Sequence, residues 1–497
     1  MPPLRQEQFL RQRYRAIAAY TGLIFFLLGF LMVAPLCALL AWPGEAGQAW
    51  WFLLPGGGLA ALGAGLWRSL RPSEPAPLTT PEGAVIIILA WAAAMLVGAM
   101  PLMGAAGLNF TQAVFEATSG WTTTGLSVVD VTKVSHLVLL YRSTMQLAGG
   151  AGLAILMLAA FGGPLGVGLS TAEGRERQLV PHVRRSTRLV VSIYAGYSLA
   201  GLVALRLAGM DWFDAINHSF CAVSTGGFST RPESIGYWNS PLVEAVIIAL
   251  MILGNLNFLT SYALLKGRWR AVFRNGEVRL LAFLLPVGIV VLFTTATAAM
   301  FPSLGKSLRV AVFETITALT TTGYSTVGYK GFGAAATLVF ILFMLIGGGI
   351  CSTAGGIKQF RIYALWRALF WEFRRLLLPR SAVSRPEIWD GDNREPVDDA
   401  SLRQIAVFVF LYLALFFIGS VLLTAYGFSL SDSLFEFASA LGTVGLSVGV
   451  TSPTAPPMVL WAETFAMLLG RLEFLVVGIG LVKAVRDGRW LICKSGT

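Results

Sequence analysis

Apolar residues run almost unbroken for stretch after stretch along this chain, and short glycine-rich polar patches separate the runs. Runs of about 20 residues are long enough to cross a bilayer core of roughly 30 Å. Their continuity excludes the alternating pattern of a membrane β-barrel. Ten crossings are predicted, at about 17–42, 50–68, 83–104, 137–162, 188–206, 241–264, 280–300, 335–375, 403–425 and 456–482. The eighth is long and interrupted. The first is too long for a signal-peptide core and has no clear small-residue cleavage site after it, so it reads as a retained helix.

The polar patches form a pattern of their own. TTGLS (123–127), TGGFS (225–229), TTGYS (321–325) and TVGLS (443–447) each read Thr, any residue, Gly, large apolar residue, Ser. Upstream, Phe-Glu recurs at one offset as Phe115-Glu116, Phe313-Glu314 and Phe435-Glu436, with Asn217-His218 in the second copy. Downstream, each patch is followed by a glycine inside an apolar helix: Gly149, Gly254, Gly347 and Gly470. Helices rich in small residues for packing account for isolated patterns such as those in 55–65. They do not account for matches on both sides of a five-residue consensus, so an internal fourfold repeat is the better reading. The expected fold is an all-α membrane protein with ten transmembrane helices: four pseudo-repeated helix–pore loop–helix units around one central ion pore. The predicted divisions are a two-helix extension (1–82), repeat 1 (83–168), repeat 2 (169–266), repeat 3 with a broken second helix (267–385) and repeat 4 (386–497).

Each patch follows a segment of about 12–14 residues, too short to span the membrane, which reads as a re-entrant half-helix. Non-helical backbone at that depth is tolerated only against protein or a water-filled path. Four such loops with inward carbonyls replace the hydration shell of a monovalent cation, the arrangement of potassium-channel filters built from TVGYG loops. The C-terminal ends of the half-helices add partial negative charge. The candidate filter residues are Thr123, Thr124 and Gly125; Thr225, Gly226 and Gly227; Thr321, Thr322 and Gly323; and Thr443, Val444 and Gly445. The threonines Thr123, Thr225, Thr321 and Thr443 either coordinate the ion or bond loop backbone. Ser127, Ser229, Ser325 and Ser447 are expected to bond backbone. Leu126, Phe228, Tyr324 and Leu446 are expected to pack behind the loops.

Composition chooses the solvent: 56% of residues are hydrophobic and 13% charged, against about a quarter charged in soluble chains. The net charge of +11 is a matter of topology. With the N-terminus inside, most Lys and Arg fall in cytoplasmic segments, among them Arg11, Arg13 and Arg15, Arg175, Arg177, Arg184, Arg185 and Arg188. Lys266, Arg268, Arg270, Arg274, Arg374, Arg375 and Arg380 continue the pattern. This is the positive-inside distribution with both termini cytoplasmic. It fits contact with membrane lipid headgroups and leaves no case for nucleic acid. Cys37, Cys221, Cys351 and Cys493 form no disulfide framework. The three histidines, His136, His182 and His218, form no metal spacing, and no nucleophile motif or dinucleotide fingerprint is present. An enzyme is therefore not expected.

Two features below the filter read as a gate. GGGICSTAGGIK (347–358) places Gly347, Gly348, Gly349, Cys351, Ser352, Thr353, Gly355, Gly356 and Lys358 inside what should be a helix. Each glycine there costs about 1 kcal/mol relative to alanine, so a break and a loop obstructing the pore are expected; close helix packing is the alternative. Arg471 aligns with Gly150, Asn255 and Gly348 of the other repeats. A charge at mid-helix costs at least about 2.5–3.5 kcal/mol unless it meets water or a partner. It is expected to face the axis and tether the 347–358 loop, with a helix-locking ion pair to Glu473 or another carboxylate as the alternative. Arg142 and Glu244 read as a structural pair or interfacial anchors. Glu116, Glu314 and Glu436 either attract cations in an outer vestibule or bond backbone behind the filter. Arg361 and the basic run 367–385 read as a headgroup-facing stretch that also offers a docking surface.

On its four loops, RSTMQLAGGAG (142–152), IGGGICSTAGGIKQFR (346–361) and LLGRLE (468–473), the chain resembles the Trk/Ktr/HKT superfamily of potassium transporters, and within it the TrkH type. The two helices before the first repeat favour that type over the shorter Ktr subunits. The resemblance implies potassium uptake across a bacterial inner membrane and filter glycines Gly125, Gly227, Gly323 and Gly445. It also implies an intramembrane gating loop, a homodimer and a cytosolic nucleotide-binding regulatory subunit of the TrkA type. K⁺ is then the transported ion, and no organic cofactor is expected in this chain. Serine in place of the last channel glycine leaves discrimination against Na⁺ or Rb⁺ open. Na⁺ or NH₄⁺ transport through the same architecture, and H⁺- or Na⁺-coupled carriage of K⁺, are the rival readings.

Overall fold

The computed structural model describes residues 3–72, 78–152, 183–379, 387–390, 393–397, 399–472 and 474–494. Arg175, Arg177, His182, Arg380, Glu473 and the last third of the expected 137–162 crossing lie outside them. Nearly every described element is helical. The exception is a small antiparallel hairpin, Glu387–Asp390 with Asn393–Pro396, pairing Ile388 with Glu395 and Trp389 with Arg394. The all-α expectation did not include it.

Five described helices are long and apolar enough to cross a membrane, and seven spans result if each of two bent pairs counts once. The Asp399–Ala425 helix illustrates the membrane pattern. Phe408, Tyr412, Phe416, Gly419, Ser420 and Leu423 are buried, while Phe410, Phe417, Ile418 and Val421 are exposed. Its outer face is as apolar as its inner face, and small residues are turned inward, as lipid requires and water would forbid.

The chain divides into two compact units. The first comprises Met1–Thr122, Val128–Tyr194 and Leu472–Thr497. In it, helix Pro3–Val33 packs closely on Trp50–Leu70, because Gly22 faces Gly63 and Gly29 faces Gly56 with no room for a Cβ at any of the four. The glycines of 55–65 thus include two that serve packing. Thr80–Ala105 opens with a Thr79–Glu82 capping box and receives the Phe474–Lys494 helix through Gly480 against Ala84 and Ile88. Phe110–Trp121 is capped by Asn109, which accepts from Gln112 N at 3.0 Å. Its 12 residues give a rod of about 18 Å, too short for the core.

The second unit comprises Thr123–Ser127 and Ala195–Arg471. Three further capped helices recur in it: Trp212–Val223 behind Asp211, Leu304–Leu319 behind Ser303 and Leu430–Leu441 behind Ser429. Each cap accepts from the third helical N–H, and each helix ends where a T-x-G-Φ-S segment begins.

Two of the expected crossings that lie wholly within the second unit take a different course. The 241–264 run is a bent pair, Pro241–Asn255 and Phe258–Leu265, at 118°. Asn257 starts the second helix by accepting from Leu259 N at 2.9 Å. In the 335–375 run, helix Ala334–Ile346 stops, 347–358 is non-helical, and Gln359–Leu377 resumes.

Candidate functional site

All four T-x-G-Φ-S segments belong to the second unit, and they share one backbone. Thr123, Thr225, Thr321 and Thr443 take φ of +57°, +51°, +51° and +50°. Gly125, Gly227, Gly323 and Gly445 take +97°, +73°, +85° and +97°. Left-handed threonine is rare, so its recurrence in four segments marks one imposed geometry.

The glycines close a ring. A Cβ on Gly125 would overlap the carbonyl oxygen of Gly226, and one on Gly227 that of Thr322. One on Gly323 would overlap the carbonyl of Val444, and one on Gly445 that of Thr124. The contacts run first to second, second to third, third to fourth and fourth back to first. Main chain meets main chain at every step, leaving no space for a side chain between segments. Such a ring offers closely set backbone oxygens, the chemistry that substitutes for water around an alkali cation.

Buried polar groups hold the segments from outside. Glu116 accepts from Val128 N at 2.9 Å, Glu314 from Thr326 N at 2.8 Å and Glu436 from Val448 N at 2.9 Å. All three carboxylates are fully buried. They therefore bond the backbone just past each closing serine, and the vestibule alternative falls away. His218 does this work in the second repeat through Ser229 Oγ at 3.0 Å. Ser447 Oγ donates to Glu436 at 2.6 Å. Tyr324 is buried, and its hydroxyl donates to the carbonyls of His218 and Phe228; Leu126, Phe228 and Leu446 are buried with it.

Arg142 and Glu244 each have an ion-pair partner within their own unit. Arg142 joins Glu116 at 2.8 Å, both buried, and Glu244 joins Arg309 at 2.7 Å. In the loop after the second segment, Arg231 bonds Asp214 at 2.9 Å, and that hydrogen bond raises the guanidinium above its ordinary pKa.

The downstream glycines have a common cause in three repeats. A Cβ on Gly149, Gly254 or Gly470 would overlap the last carbonyl of the short helix in its own repeat, at Trp121, Val223 and Leu441. In the third repeat Gly347, at φ +70°, lies instead against Gly355 and Gly356.

The 347–358 segment folds as a loop against the ring. Thr353 Oγ1 donates to the Gly254 carbonyl at 2.9 Å and lies 3.2 Å from Thr225 Oγ1. Gly355 N donates to Thr321 Oγ1 at 2.7 Å. A Cβ on Gly355 would overlap Thr443 Oγ1 and the Gly442 carbonyl. Within the loop, Gly348 N donates to Gly355 O at 3.1 Å and Ser352 Oγ to Gly349 O at 2.6 Å. Gly356 and Lys358 have positive φ, as does Cys351, and Lys358 Nζ donates to the Ala354 carbonyl. Arg471 Nη1 donates to the Thr353 carbonyl at 2.6 Å.

Two further tethers escape a reading of the sequence. Glu277 Oε1 accepts from Ile350 N at 2.7 Å, and Gln359 Nε2 donates to Gly347 O at 3.0 Å. The only sign of Glu277 is an acid at the start of an apolar run, which reads as a complement to the helix dipole. Asn255, aligned with Arg471, is buried with neither amide atom partnered among the described residues, and its Oδ1 lies against Gly348.

Spanning helices, four helices too short to cross a bilayer core and a closed ring of main-chain turns define the class: a polytopic membrane protein for cation transport. More narrowly, the chain belongs to the TrkH family of cation transport proteins, whose model matches residues 58–489. It is 31% identical over 477 residues to the Trk system potassium uptake protein TrkH of Halomonas elongata, covering 93% of this chain and 97% of that one. It is 30% identical over 480 residues to the Trk system potassium uptake protein TrkH of Escherichia coli strain K12, covering 93% and 96%. Its fold matches the crystal structure of the potassium transporter TrkH from Vibrio parahaemolyticus with a TM-score of 0.81 at 26% identity, over 94% of this chain and 98% of that one.

Proposed function

We propose that this chain takes up potassium ions across a membrane through the ring formed by its four T-x-G-Φ-S segments. The observation that carries the reading is the closure of that ring, fourth segment onto first, by main-chain contact alone. The relatives named potassium uptake proteins support K⁺ as the cargo. In this reading the carbonyls of Thr124, Gly226, Thr322 and Val444 are filter ligands, and Thr123, Thr225, Thr321 and Thr443 line the inner end. Gly125, Gly227, Gly323 and Gly445 are what allow the turns to meet.

The 347–358 loop is the gate, seated against the inner end of the filter and held there by Arg471 and Glu277. The relatives are named as parts of a Trk system, which favours a regulatory partner. We assign it as a cytosolic nucleotide-binding subunit of the TrkA type, docking on the basic cytoplasmic face of a homodimer. That assignment puts the chain in a bacterial inner membrane with both termini inside and ten crossings.

Reconstitution tests the reading. Purified chain in vesicles should pass K⁺ at least about tenfold faster than Na⁺, in discrete single-channel steps on a planar bilayer. Stepless transport locked to a proton or sodium gradient would overturn it in favour of a coupled carrier.

A further inference from the structure

The four inner threonines are not equivalent, although their backbones are. Thr123 Oγ1 and Thr443 Oγ1 are fully buried and have no hydrogen-bond partner among the described residues. Thr225 Oγ1 donates to the Ser224 carbonyl at 2.7 Å and has Thr353 Oγ1 at 3.2 Å. Thr321 Oγ1 accepts the N–H of Gly355 at 2.7 Å. A Cβ on Gly355 would overlap Thr443 Oγ1, so the loop's backbone also closes on that hydroxyl. The loop therefore reaches three of the four hydroxyls, and among the described residues that of Thr123 has no hydrogen bond to it.

The chemistry of these contacts is specific. A hydroxyl oxygen has two lone pairs, and it ligates a cation with the same lone pairs that accept hydrogen bonds. At Thr321 the partially positive Gly355 N–H occupies the place of a cation. At Thr443 the loop's backbone fills the space in front of the oxygen. A dehydrated cation at the inner end of the ring and the seated loop thus need the same atoms.

We propose that the permeant monovalent cation competes with the 353–355 segment for the threonine hydroxyls, so that ion occupancy of the innermost site unseats the gating loop. This rests on the ring being the ion path. By linkage, a cation that binds only when the loop is displaced shifts the equilibrium toward the displaced state, and the seated loop weakens the ion by the same factor. Arg471 on the Thr353 carbonyl and Glu277 on Ile350 N set how much ion is needed.

Cys351 reports the loop directly. It lies in the segment and is half-buried, whereas Cys221 is buried. The full chain with Cys37→Ser and Cys493→Ser is placed in lipid nanodiscs, and maleimide labelling of Cys351 is timed in KCl and in choline chloride at equal ionic strength. Labelling is expected to be at least threefold faster in K⁺. Thr123→Ala removes a hydroxyl that makes no hydrogen bond to the loop among the described residues. It should leave the choline rate unchanged and raise the K⁺ concentration for half-maximal acceleration about fivefold, the equivalent of one hydrogen-bond-sized contact. Thr353→Val should raise the choline rate itself, and Thr353→Ser should keep the wild-type behaviour. Equal rates in K⁺ and choline, in protein that transports K⁺ and loses that transport with Thr123→Ala, overturn the competition and leave the ring intact. Transport and labelling both indifferent to Thr123→Ala overturn the ring as the ion path as well.

Discussion

Gly323 has no room for even a methyl group: its backbone is left-handed at +85°, and a Cβ would overlap the Val444 carbonyl. Gly328, a few residues on, has nothing within 4 Å of a built Cβ. Gly323→Ala should therefore cut K⁺ uptake by at least about tenfold in a transport-deficient strain, and Gly328→Ala should leave it unchanged at equal protein levels. Burial separates a second pair of outcomes. Arg142 and Glu116 are an enclosed ion pair at 2.8 Å, and removing one partner of such a pair costs about 3–5 kcal/mol. Arg142→Met should lower the melting temperature in detergent markedly, and adding Glu116→Gln should recover part of the loss. The filter candidates were legible because one backbone, used four times, wrote the same letters four times. Glu277 and Gln359 were not legible, because each acts once, through a contact with a loop far away in sequence. The choice between vestibule and support for Glu116, Glu314 and Glu436 depended on burial and on bonds to backbone N–H groups, which one sequence does not carry.

At the scale of elements, the short helices announce themselves by length and capping. Asn109, Asp211, Ser303 and Ser429 each accept from the third helical N–H, and each helix is too short to cross a bilayer core. The break at 347–358 was visible as a glycine count, since several glycines at about 1 kcal/mol each defeat a helix. The bend after Asn255 was not, because apolar residues continue through it and only the capping Asn257 marks the restart. Among the bonds that hold the resulting 347–358 loop are two from charged side chains, Arg471 to the Thr353 carbonyl and Glu277 to Ile350 N. Arg471→Gln should raise the leak of K⁺ from loaded vesicles holding the purified chain alone severalfold, and Glu277→Ala should act in the same direction. Lower leak in either variant would contradict a loop held closed by these groups.

For the whole molecule, membrane residence was the easiest property to read, since continuous apolar runs in a chain only 13% charged leave no other solvent. The fourfold plan was equally open, because internal repeats survive as spacing even where letters drift. What the letters do not fix is which turn meets which. In the structure the answer is cyclic: each glycine lies against the carbonyl before the next segment's glycine, and the fourth returns to the first. A ring has no spare member, so damage at any station should be felt equally.

That equality is the most direct test. Gly125, Gly227, Gly323 and Gly445 are replaced by serine one at a time, and the ratio of K⁺ to Na⁺ flux is measured in vesicles carrying each purified variant. The account predicts that all four replacements collapse the ratio or abolish flux, to a similar degree. Wild-type selectivity in any one of them, at normal flux, would contradict a single pathway walled by all four segments.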